Sequence, residues 1–107
     1  MSNSGGNIKW DAIREISAAT ITSAYQTLGA PLARDAFRIT LQNQTNGEVY
    51  LSKDGTTDGK KFPSAQGRIE DNKTNDMFYR AGTQFYIRYA NTPGVPTGWA
   101  TLEVDYV

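Results

Sequence analysis

Strict alternation of apolar and polar residues in three stretches constrains this chain more than any other feature. In Phe37-Arg38-Ile39-Thr40-Leu41-Gln42 every second residue is apolar, so a β-strand puts Phe37, Ile39 and Leu41 on one face. Gln84 to Tyr89 gathers Phe85, Ile87 and Tyr89 in the same way, and Ala100 to Tyr106 gathers Ala100, Leu102, Val104 and Tyr106. A helix repeats its apolar stripe at three and four residues, not at two. Shorter candidate strands run from Ile16 to Tyr25, Val49 to Ser52, Lys61 to Phe62, Gly67 to Glu70 and Met77 to Tyr79. About eight short antiparallel strands between turn clusters predict an all-β fold, a small jelly-roll-like β-sandwich.

The expected organisation is an extended N-terminal arm over residues 1–15 and a β-sandwich domain over 16–107, since 107 residues suffice for one core and not two. Within the arm, Trp10 to Ile16 has the spacing of a short helix that Asp11 would cap. Asp54-Gly55, Asp58-Gly59, Ala81-Gly82 and the proline- and glycine-rich stretch from Asn91 to Gly98 read as turns or loops. Thr45-Asn46-Gly47 reads as a hairpin turn. A three-residue loop with Gly47 left-handed would set Leu41 opposite Leu51 on one side, provided both strands share a sheet.

The chain has no cysteine and no histidine. Disulfides and thiolate metal sites are therefore excluded, and the commonest general base and metal ligand are missing. No enzyme activity and no cofactor is expected. The formal net charge is zero and the basic residues are scattered, which argues against a nucleic-acid partner. No apolar run approaches the roughly 20 residues that span a bilayer, and residues 1–6 lack the pattern of a signal peptide, so no membrane partner is expected.

Asp54 and Asp58 have calcium-loop residue types, but the third acidic ligand and the distant glutamate are absent, and Asp-Gly is ordinary turn chemistry. Glu48, Glu70, Asp71 and Glu103 could be paired as glycosidase carboxylates, yet alternation turns Glu103 and Asp105 outward, as solvated charge or interface salt bridges. No nucleophile elbow or phosphate-binding glycine loop occurs. Tyr50, Tyr86 and Trp99 fall on outward faces. Outward aromatics serve protein interfaces or sugar platforms, or pack as a second layer. Together with Ile8, Trp10 and Ile13 of the arm, they are the candidate contact residues; no catalytic, cofactor-binding or metal residues are assigned.

The run Gln42-Asn43-Gln44-Thr45-Asn46, followed by Val49-Tyr50-Leu51-Ser52-Lys53-Asp54-Gly55, resembles small virion proteins of tailed bacteriophages. Asp71-Asn72-Lys73 and Ala81-Gly82-Thr83-Gln84-Phe85-Tyr86 are similar to the same group, and the likeness covers roughly Ile16 to Val107. The stretch before the Asn-Lys pair, Gly67 to Asp71, is less hydrophobic than that group's pattern. The resemblance implies a capsid decoration (cement) protein on the capsid exterior of the virion, assembled in the host cytoplasm. It would bridge neighbouring major capsid protein subunits and associate with itself as a homodimer or homotrimer. The alternatives are a head–tail joining or tail component and a carbohydrate-binding β-sandwich module.

Overall fold

A computed structural model describes residues 9–63, 67–72 and 79–106, the middle segment by its backbone, and every regular element in it is a strand. In chain order these are β1 (Lys9–Trp10), β2 (Arg14–Ser17), β3 (Gln26–Thr27), β4 (Arg38–Asn43), β5 (Val49–Ser52), β6 (Lys60–Phe62), β7 (Gly67–Asn72), β8 (Tyr86–Tyr89) and β9 (Trp99–Tyr106). β1 and β2 both pair with β9 and form one interrupted edge strand, so the fold has eight strand positions.

The five-stranded sheet runs from that edge through β9 and β4 to β7, and the four-stranded sheet has the order β3-β8-β5-β6. All pairs are antiparallel. The first strand position pairs with the last, the second with the seventh, the third with the sixth and the fourth with the fifth. This is one long ribbon wound so that its rungs alternate between the two layers of a β-sandwich.

Alternation explains the core. Leu102 lies opposite Leu41 and Val104 opposite Ile39, and all four are buried. The facing sheet contributes Val49 opposite Tyr89 and Leu51 opposite Ile87, with Phe62 beside Val49. Tyr79 and Phe85 close one end edge-to-face, their ring centres 5.6 Å apart. Each such large side chain contributes about 1.5–3 kcal/mol through burial, which is how a chain without disulfides holds two sheets together. Phe37 and Tyr106, the outermost members of their predicted faces, are only half-buried.

Three expectations are corrected. Trp10 to Ile16 is not a helix: the segment is edge strand, and the described part of the expected arm, residues 9–15, belongs largely to the five-stranded sheet. The expected strand from Ile16 to Tyr25 ends at Ser17, where Thr20 and Ile21 amides turn the chain by donating to the Ser17 and Ala18 carbonyls. β4 and β5 form no hairpin, because they lie in different sheets. A polar knot turns that corner instead. Buried Asn43 donates to the carbonyls of Gly47 (2.9 Å) and Pro63 (3.0 Å), and accepts from the Thr45 amide (3.0 Å) and hydroxyl (2.6 Å). Among the described residues the glycines with positive φ are Gly29, Gly55, Gly82 and Gly98, and Gly47 is not one of them. Of Met77 to Tyr79, the first two residues lie outside the described residues, and Tyr79 makes an isolated bridge to Ala36.

Candidate interaction surface

The interrupted edge strand contains a register shift. Trp10 lies opposite Asp105, whereas Arg14 lies opposite Leu102. Residues 11–13 therefore span only Glu103 and Val104, which is a β-bulge with one extra residue. In an unbroken strand, residues 10 and 13 would point to opposite faces. The extra residue puts Trp10 and Ile13 on the same, outer face, where they are 78% and 64% exposed.

The bulge is fixed by charge and hydrogen bonds. The Asp11 amide donates to the Val104 carbonyl at 3.0 Å, and the Ala12 amide to the Asp11 carboxylate at 2.8 Å. Arg14, only 5% exposed, donates to the carbonyls of Ala12 (2.8 Å), Ala30 (2.9 Å) and Pro31 (3.3 Å) and pairs with Asp11 at 3.3 Å. Burial pushes the Asp11 carboxyl up, but the Ala12 amide and the Arg14 guanidinium outweigh it and hold the group below its ordinary value. Gly29 lies so close beneath the Arg14 stem that an added Cβ would come within 2.4 Å of it.

Between the bulge and the centre of the sheet runs a groove of about 560 Å³. Trp10 and Ile13 form one wall; Arg38, Thr40, Glu103 and Asp105 line the floor. Arg38 and Asp105 form an ion pair across β4 and β9. Thr40 sits directly opposite Glu103 in register. Trp99, 52% exposed, follows the same outward alternation of β9 but lies about 20 Å farther along, at roughly 3.3 Å per residue.

The outer face of the four-stranded sheet is arranged differently. Tyr50 lies opposite Arg88 in register, and the guanidinium stacks 4.6 Å from the Tyr50 ring centre and 5.4 Å from that of Tyr25. Asp58, from the loop after β5, takes two hydrogen bonds from Arg88 (2.8 and 3.2 Å) and one from the Tyr25 hydroxyl. Burial, then the bond to the Asp58 carboxylate, pushes the Tyr25 phenol up to about 12. Hydrogen bonds from Arg88 and Tyr25 hold Asp58 below its ordinary value. Tyr86 lies beside Gly55, which turns the loop after β5 with φ of 79°.

Asp54 and Asp58 are thus engaged within the protein. Asp54 accepts from the Thr57 and Thr56 amides at 2.7 and 2.8 Å and from the Ser52 hydroxyl at 2.8 Å, which keeps its carboxyl far below the usual range. Among the described residues no group of three or more acidic side chains converges as a metal site would require. A smaller cavity of about 300 Å³ opens at one end of the sandwich over Ile39, Leu51, Tyr79 and Phe85. Lys53 stands at its mouth, 5.7 Å from the Tyr79 ring.

Of the six candidate contact residues, the structure brings Trp10 and Ile13 together, places Trp99 on the same sheet, and puts Tyr50 and Tyr86 on the opposite sheet. Ile8 lies outside the described residues. The sequence reading had no place for Arg14, Thr40, Tyr25 or Arg88. A signal for Thr40 existed, since it shares the outward face of β4 with Arg38 by simple alternation. Comparison of the chain with protein-family models, with curated proteins and with solved structures finds no match.

Proposed function

We propose that this chain is a structural protein of a virion, a capsid decoration protein that bridges and stabilises neighbouring major capsid subunits through the outer face of its five-stranded sheet. The observation that carries the proposal is the exposure of Trp10, Ile13 and Trp99 on one sheet, the first two presented by a bulge that Arg14 locks. Exposed aromatics held on rigid backbone are typical of protein interfaces, where Trp supplies much of the binding energy. The resemblance of the turn segments to phage virion proteins directs that interface toward a capsid. On a symmetric shell, many modest contacts add up through high effective concentration.

The test is electron microscopy of particles produced with the wild-type chain and with the double substitution Trp10→Ala, Ile13→Ser. Decoration predicts density in proportion to the shell subunits for wild type, and strongly reduced occupancy for the variant. Occupancy restricted to one vertex would instead identify a head–tail joining or tail part. Full occupancy by the variant would overturn the assignment of this face.

A further inference from the structure

We infer that the groove beside the bulge docks an extended protein segment in which a basic side chain neighbours an apolar one. The inference rests on the reading of this face as an interface and names the chemistry of the partner. The groove's charges are unevenly satisfied. Asp105 is neutralised by Arg38 and Asp11 by Arg14, whereas Glu103 has no hydrogen-bond or ion-pair partner among the described residues. An acidic segment would be repelled here, and a basic one drawn in.

Thr40 adds a polar group to the groove floor. It is only 5% exposed, yet its hydroxyl has no hydrogen-bond partner among the described residues. Solvent reaches the hydroxyl from the groove, where it can accept a hydrogen bond from a docked group. Because Thr40 is opposite Glu103, one ammonium or guanidinium can donate to both the carboxylate and the hydroxyl. Trp10 and Ile13 line the same groove, so an aromatic ring is within reach of the cation and an apolar wall within reach of its neighbour.

The probe is a pair of capped pentapeptides, Val-Lys-Val-Arg-Val and Val-Glu-Val-Glu-Val, titrated into the ¹⁵N-labelled full chain. The basic peptide should shift the Trp10 indole and the Thr40 and Glu103 amides, and added salt should weaken it. The acidic peptide should leave them in place. Glu103→Gln should weaken the basic peptide about three- to tenfold, the range for one charge at a partly desolvated contact. A spectrum otherwise like wild type would show that this variant keeps its fold.

Equal shifts from both peptides, an unchanged affinity in Glu103→Gln, or no shift from either would overturn the inference. So would shifts of the same resonances produced by a neutral oligosaccharide alone, or by raising the chain's own concentration, which would give the groove to a sugar or to a second copy. The peptide result is independent of the particle. If particles lose the Trp10→Ala, Ile13→Ser chain while the peptides fail, the interface stands and the basic partner falls. If the peptides bind while occupancy is unchanged, the docking chemistry stands and the capsid assignment falls.

Discussion

On the four-stranded sheet the outward tyrosines are already occupied, whereas on the five-stranded sheet the outward tryptophans are left open. The same alternation rule put aromatic rings outside both layers. On the first layer Arg88 fills the space between Tyr25 and Tyr50, Asp58 ties the loop after β5 to it, and Gly55 lies against Tyr86. On the second layer an equal investment of charge, the Arg14 network, lies behind the strand and holds the bulge from the core side. Charge inside the rings closes a surface; charge behind them presents it. An outward aromatic therefore marks an interface only when its own protein has not covered it.

This contrast can be broken at four points, taken from the largest expected effect to the smallest. Gly98 joins the last loop to β9 with φ of 92°, and an added Cβ would stand 2.0 Å from the Gln44 carbonyl oxygen, next to the corner where the chain passes between sheets. Gly98→Ala should cost about 3 kcal/mol or more in urea unfolding, and both surfaces should disappear together. Arg14→Ala should cost about 3 kcal/mol, because it strands Asp11 and three carbonyls, and it should disorder only the open face. Fluorescence of Trp10 and Trp99 against tyrosine absorbance separates the two outcomes.

Asp58→Asn probes the closed face. It removes the carboxylate that accepts the Tyr25 hydrogen bond, so the phenol should fall from about 12 toward 10, with burial retaining part of the rise; titration at 295 nm compared with Tyr25→Phe reads it. In the wild type the raised Tyr25 value means that the neutral phenol is favoured by folding. Its contribution is complete below the unfolded value near 10 and is lost as pH climbs through about 12. In Asp58→Asn that window should narrow, with only a small loss of thermal stability. Trp10→Ala should be nearly silent in unfolding, within about 0.5 kcal/mol, because the ring is exposed, yet it should abolish docking of the basic peptide. A large loss of stability there would show that the open face is less open than the contrast requires.

Most of the core was legible in the sequence, because period two survives wherever a strand has one wet and one dry face. Ile39 and Leu41, Phe85, Ile87 and Tyr89, and Ala100, Leu102 and Val104 all face inward as alternation requires. The outward positions of Tyr50, Tyr86 and Trp99 were legible for the same reason; the coverage of Tyr50 by Arg88 was not, since it joins residues 38 apart in sequence. The bulge was misread for a definite cause. Ile13 and Ile16, three apart, read as one side of a helix, whereas the edge strand sets Ile16 opposite Ala100 against the core and leaves Ile13 on the outer face. The β4–β5 turn was misread because its register assumed a shared sheet, while Asn43 and Thr45 direct their polar groups into a buried corner. The groove floor escaped notice because Thr40 and Glu103 meet only when β4 and β9, about sixty residues apart, lie side by side.

The interrupted edge has one more effect. A straight, uninterrupted border strand offers its row of amides and carbonyls to any passing chain and invites stacking without limit. Here the row is broken into pieces of two and four residues by the extra one, so a newcomer loses its footing almost at once. This border of the five-stranded sheet is therefore a poor template for strand addition by a second copy.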